Sequence, residues 1–165
     1  MNNELTAQDI AIMQQELDYN RLTVLPAAIE EVKRTRAFGD LSENYEYKAA
    51  KQAQNACKKR IRYLERMIKS ATVYEDRSAE DEVGLFDLVE LYLEEDDDTE
   101  TVQVVTTVRC DPRQGRVSKE SPMGKALLGK KLGDRFLVTV NDTYSYWAVV
   151  KSIQKEADDG SAPIL

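Results

Sequence analysis

The chain is 165 residues long, 42% hydrophobic and 32% charged, with a net charge of −7 and no histidine. That length holds one domain or two small ones around a buried core, and the charge density gives a well-solvated surface. The Met-Asn-Asn-Glu start lacks the basic and apolar regions of a secretory signal, no apolar run approaches a bilayer's thickness, and the missing imidazole removes the commonest general base and metal ligand.

The expectation is therefore a soluble, cytoplasmic protein with no membrane partner, whose chemistry, if any, runs on carboxylates. Cys57 and Cys110 show no CxxC pairing, so neither a disulfide framework nor a zinc site is suggested.

Periodicity divides the sequence near residue 75. Before it there is one glycine, Gly39, and apolar residues recur at helical spacing; after it come six glycines and short β-rich runs. Ile10, Met13 and Leu17, then Leu22, Leu25, Ile29 and Val32, mark an apolar stripe with a five-residue step between 17 and 22 that shifts its phase. Pro26 removes a helical hydrogen bond, so a break or kink is expected there unless it opens a second helical segment.

Gly39 is placed to end this helix in a left-handed conformation. The acidic turn Gly39-Asp40-Leu41-Ser42-Glu43 follows.

Beyond the turn, Tyr47, Ala50, Gln54, Cys57, Ile61, Leu64, Ile68 and Ala71 alternate spacings of three and four, a coiled-coil seam. A connection of a few residues forces the two helices to pair antiparallel. A helix over residues 8–37 would be about 45 Å long at 1.5 Å per residue. From Tyr47 to Tyr74 eight basic residues face one acid, with Lys58, Arg62, Arg66 and Lys69 on one helical face.

In the second half, Leu85–Leu93, Val102–Val108, Arg135–Val140 and Tyr144–Ile153 read as strands, and Glu94–Asp98 as an acidic hairpin loop between the first two. Ser121 caps a short helix over residues 122–128 that starts with Pro122 and stops at Gly129. Trp147 reads as a core or interface residue, and residues 156–165 as a loose tail.

The fold class is α+β: a coiled-coil hairpin over residues 1–75, then an antiparallel sheet with one short helix over residues 76–155. Residues 1–75 carry twelve basic and eleven acidic side chains, and residues 76–165 eleven and nineteen. The acidic half repels free nucleic acid, so the basic helix is expected to meet it in a guided setting.

Two readings of the turn stand side by side. In one, Asp40 or Ser42 caps the second helix, with Glu43 completing a capping box. In the other, the carboxylates of Asp40 and Glu43 project together into a partner and hold Mg²⁺, weakly alone, because that ion takes one or two protein carboxylates and fills its other positions with waters and phosphates.

Gly39-Asp40-Leu41-Ser42-Glu43-Asn44, with Glu46-Tyr47 and Ala49-Ala50-Lys51, resembles the coiled-coil tip of the bacterial Gre transcript cleavage factors, which act on RNA polymerase. Asp111-Pro112, Gly115-Arg116-Val117-Ser118 and Glu120-Ser121-Pro122-Met123-Gly124-Lys125-Ala126-Leu127-Leu128-Gly129-Lys130 resemble the family's C-terminal signature, and the similarity runs from about Leu5 to Ile153.

The resemblance implies an FKBP-like C-terminal domain that docks at the entrance of the polymerase secondary channel through the Ser121-Pro122 loop, while the coiled coil reaches the active site. There Asp40 and Glu43 would share a Mg²⁺ with the polymerase and favour attack of water on backtracked nascent RNA. Lys58, Arg62, Arg66 and Lys69 would guide RNA or line the channel. The factor would be a monomer and not itself an enzyme.

Tyr45 stands where the family usually has a small residue, beside the two acids, and is read as a tip modulator that could stack on a base, alter tip geometry or obstruct catalysis. Two other classes remain: a Gre-like regulator that occludes the channel without stimulating cleavage, and a peptidyl-prolyl isomerase, which ranks last because no aromatic cluster marks its pocket.

Overall fold

A computed structural model describes residues 3–39 and 44–165. The chain divides into two compact units, one of residues 1–3 and 9–72, the other of residues 4–8 and 73–165.

The first unit is a helical hairpin. α1 (Ala7–Tyr19) passes through a π-helical turn, Asn20–Val24, into α2 (Leu25–Arg36), and α3 (Tyr45–Ser70) returns. The helix runs on through Pro26 without a break, because Val24 and Leu25 stay in helical conformation and the π turn just before the proline accommodates its ring and missing N–H. The amide of Leu25 bonds the Asn20 carbonyl five residues back, and this wider turn absorbs the phase shift.

The stripe changes with it. Met13, Leu17 and Val32 are buried as expected, but Leu22 is 78% exposed. The π turn rotates Leu22 outward, and half-buried Asn20, Val24 and Ala28 continue the stripe instead.

On α3 the expected seam holds, with Ala50, Gln54, Cys57, Ile61 and Leu64 all buried. Polar residues within the interface are satisfied locally: buried Thr35 donates to the Glu31 carbonyl at 2.9 Å, and the Asn20 amide donates to that of Glu16 at 2.8 Å. Across the hairpin, Arg60 grips the Glu16 carboxylate with two bonds of 2.6 and 3.0 Å, and Arg21 pairs with Glu65.

Two short strands, β1 (Glu4–Leu5) and β2 (Thr72–Val73), pair as a ribbon, and the second unit carries a five-stranded sheet. The sheet strands are β3 (Leu88–Leu93), β4 (Asp98–Val105), β5 (Arg116–Ser118), β6 (Arg135–Thr139) and β7 (Ser145–Gln154), in the order β5-β4-β3-β7-β6.

Every sheet pairing is antiparallel except β4 with β5, which is parallel, so the sheet is mixed. β5 escapes sequence reading because it is only three residues long, too short for an alternating pattern to show. The alternation in β6 buries Phe136 and Val138 and exposes Arg135, Leu137 and Thr139. Val89, Leu91, Val104, Val138 and Val150 form the core, closed by Leu127 of α4 (Pro122–Leu127).

Three expectations change in this unit. β4 begins at Asp98, so the acidic loop shrinks to residues 94–97, and three of its four acids are engaged: Glu94 with Arg135, Glu95 with the Tyr144 hydroxyl, and Asp97 with that of Tyr92. Of the two readings of Trp147, core or interface, the core is excluded: it lies 40% exposed opposite Leu137, with the Arg135 guanidinium 3.9 Å from its ring centroid.

The segment 156–165 is no loose tail. The buried Arg109 guanidinium donates to the Ala162 carbonyl at 2.7 Å and to both Asp158 carboxylate oxygens at 3.0 and 2.6 Å. Ala162 joins the core, and the Leu165 amide bonds the Val108 carbonyl.

Two stability outcomes follow from this packing. Leu64 is fully buried in the hairpin seam, so Leu64→Ala is expected to cost about 2–5 kcal/mol, read by urea unfolding with far-UV circular dichroism. Asp158→Ala strips a carboxylate from a fully buried guanidinium and is expected to cost about 3–5 kcal/mol, read through Trp147 fluorescence. A loose tail would leave that transition unmoved.

Candidate functional site

The site read from sequence centres on Asp40 and Glu43, and both lie outside the described residues. α2 ends at Arg36, Gly39 takes φ +104°, a conformation open to glycine, and α3 begins at Tyr45.

The helix cap falls to Asn44, not to Asp40 or Ser42: its side-chain oxygen accepts the Tyr47 amide at 3.0 Å. The same side chain donates from its nitrogen to the Thr35 carbonyl at 2.7 Å, satisfying an end group of α2. One amide thus caps the returning helix and ties it to the outgoing one. Aspartate offers no such donor, which is why the residue type matters.

Aromatic rings flank the turn, each with a cation over it. The Arg34 guanidinium lies 5.2 Å from the Phe38 ring centroid, that of Arg36 5.7 Å from Tyr47, and the Lys48 ammonium 5.5 Å from Tyr45. Arg36 also donates to the Tyr47 hydroxyl at 3.5 Å, and this bond holds the phenol below its ordinary pKa. Tyr47 is half-buried and serves the hairpin; Tyr45 is 81% exposed. Arg34, Arg36 and Phe38 were not singled out from sequence, although the Arg-x-Arg-x-Phe and Tyr-x-Tyr-Lys spacings around the turn carry that pattern.

Along α3, Lys58, Arg62, Arg66 and Lys69 are all exposed on one face, as their spacing predicts. Among the described residues none of the four makes an ion pair, although the Arg66 guanidinium lies 5.8 Å from the Tyr63 ring centroid. Arg60 is different: it is committed to Glu16.

In the second unit, Ser121 and Pro122 begin α4. The Ser121 hydroxyl accepts the Gly124 amide at 3.0 Å and donates to the Ser118 carbonyl at 2.6 Å, so its hydrogen bonding is spent on the cap. Gly124 is required here, because a Cβ would stand 2.0 Å from the Ser118 carbonyl oxygen. Pro122 is exposed beside it.

Lys119 next to this loop is buried yet charged. Burial pushes its ammonium down, but hydrogen bonds to Glu4 and Glu120 more than offset this, and the net shift is upward. Ser121 and Pro122 thus lie in the second unit, and the basic row of α3 in the first.

Residues 3–73 match the family described as transcription elongation factor, N-terminal, and residues 78–155 the one described as transcription elongation factor, GreA/GreB, C-term. Transcription elongation factor GreA of Bacillus subtilis (strain 168) is 37% identical over 134 residues, covering 81% of this chain and 85% of the relative. That of Oenococcus oeni (strain ATCC BAA-331 / PSU-1) is 36% identical over 152 residues, covering 92% and 94%.

Among solved structures, the GreA factor homolog 1 (Gfh1) protein of Thermus thermophilus shares 27% identity over 94% of this chain and 100% of its own, with a TM-score of 0.44. The resemblance carried by the Gly39–Asn44 and Asp111–Lys130 blocks is borne out at both ends of the molecule, and the chain belongs to the GreA/GreB family of transcription elongation factors.

Proposed function

We propose that this chain enters the secondary channel of bacterial RNA polymerase and stimulates the polymerase's own cleavage of backtracked nascent RNA, so that a stalled complex resumes elongation. The observation that carries the reading is the placement of Asp40 and Glu43 in the short connection, residues 37–44, between two long antiparallel helices of a GreA/GreB-family chain. The 26-residue helix α3 extends roughly 39 Å at 1.5 Å per residue, so the connection lies about that far from the other end of the hairpin.

Two carboxylates are hard oxygen donors of the kind Mg²⁺ accepts, and they form an incomplete set. A bound Mg²⁺ shared with the polymerase would lower the pKa of an attacking water and stabilise the displaced oxygen. The chain's own contribution is to deliver the carboxylates, and its cap supports that role: Asn44 fixes where α3 starts relative to the end of α2. Lys58, Arg62, Arg66 and Lys69 offer exposed positive charge for the RNA or for acidic channel walls, and Ser121-Pro122 the docking loop. The chemistry stays in the polymerase, and this chain is the activator.

Halted, backtracked polymerase complexes test the reading through the length of their RNA. The unmodified protein is expected to shorten it. Asp40→Asn and Glu43→Gln are each expected to reduce the rate by about 10²-fold or more while leaving binding to the polymerase intact. Binding without shortening by the unmodified protein would replace this reading with that of a channel-occluding regulator.

The quadruple variant Lys58→Gln, Arg62→Gln, Arg66→Gln, Lys69→Gln is expected to keep the hairpin's helicity, because all four side chains are exposed, and to weaken action on stalled complexes more at low salt than at high. Salt-independent loss would count against an electrostatic role.

A further inference from the structure

Tyr45 is the first residue of α3 and is 81% exposed. Its hydroxyl has no hydrogen-bond partner among the described residues, in contrast with that of Tyr47, which accepts from Arg36. The contact its ring does make is with a cation: the Lys48 ammonium, one helical turn on, stands 5.5 Å from the ring centroid. A phenol placed this way neither fills the seam nor supports the cap.

Its surroundings select the ligand. Its described sequence neighbours Asn44, Glu46 and Lys48 are all polar, unlike the apolar surroundings of a protein hot spot. A flat π-surface with a cation beside it, in a helix whose residues 47–70 carry eight basic side chains against one acid, has the composition of a single-strand stacking site. Phe38, 56% exposed with Arg34 5.2 Å from its ring centroid, repeats the ring-and-cation arrangement at the end of the outgoing helix.

We propose that Tyr45 is a stacking platform for an unpaired RNA base, with Lys48 placed to meet the phosphate of the stacked nucleotide. The proposal deepens the function above and rests on it for the source of the RNA. The ring supplies a sequence-tolerant contact, because every base has a π-face, and it holds the strand beside Asp40 and Glu43 in the sequence. Of the three roles open to a phenol at this position, the exposure and the cation favour stacking.

The test needs no polymerase. Binding of a fluorescently labelled six-nucleotide oligoadenylate to the full chain is measured by anisotropy at low salt, against an abasic ribose-phosphate chain of the same length. The unmodified protein is expected to prefer the oligoadenylate by about tenfold; Tyr45→Phe keeps that preference, and Tyr45→Ala lowers affinity for the intact strand to that for the abasic one.

Circular dichroism of Tyr45→Ala confirms that the exposed position leaves the hairpin folded. The proposal is overturned if the unmodified protein binds both strands equally, or if Tyr45→Ala binds oligoadenylate as tightly as the unmodified chain. It is also overturned if Tyr45→Ala weakens both strands equally, which would assign the ring a role other than base contact. RNA shortening is not read in this assay, so its failure leaves the roles of Asp40 and Glu43 standing, and failure of shortening leaves stacking standing.

Discussion

The hairpin depends on one packing constraint: two long, highly charged helices are held together by a single narrow seam. Isolated helices of such length are marginal in water, and most of their stability comes from burying an apolar stripe. Met13, Leu17 and Val32 on one side and Ala50, Cys57, Ile61 and Leu64 on the other supply that stripe, and buried Thr35 and Gln54 interrupt it. The remaining surface is left to charge, which allows the exposed row on α3. A hairpin built this way needs little chain at its turn, and the two acids stand in that short connection.

The register of the seam is kept by polar devices. The π turn at Asn20–Val24 takes up a phase shift that a regular helix would carry forward into α2. Asn44 then fixes the far end, using both halves of one amide on two helices. Arg60 and Glu16 add a half-buried bidentate pair across the middle. Pairs like these contribute less energy than the apolar stripe, but they discriminate between registers, because a shifted register leaves their donors and acceptors without partners.

In the second unit a buried charge does comparable work. Arg109 would be costly inside the domain without a carboxylate, and Asp158 supplies one from a segment that follows the last strand. The closing segment is therefore part of the folded unit, and Ala162 reaches the core. Local composition gave the opposite expectation, since Asp-Asp-Gly-Ser reads as solvated chain. The counterion is 49 residues away in sequence, beyond any local pattern.

Periodicity alone made the α+β class, the hairpin, the α3 seam, four of the five sheet strands and the Ser121 cap legible, because each depends on residues within a turn or a strand of one another. Asp40, Glu43 and the basic row were legible as residue types and spacing. Hidden from it were the outward turn of Leu22, the parallel β5, the exposure of Trp147, the transfer of the cap to Asn44 and the burial of Arg109. Leu22 turns with the π turn, and the others depend on a partner beyond the local pattern: a facing strand, a carbonyl across the turn, or a carboxylate on the closing segment. Local order follows from short-range sterics and patterning, whereas the choice among satisfied partners is made when distant segments meet.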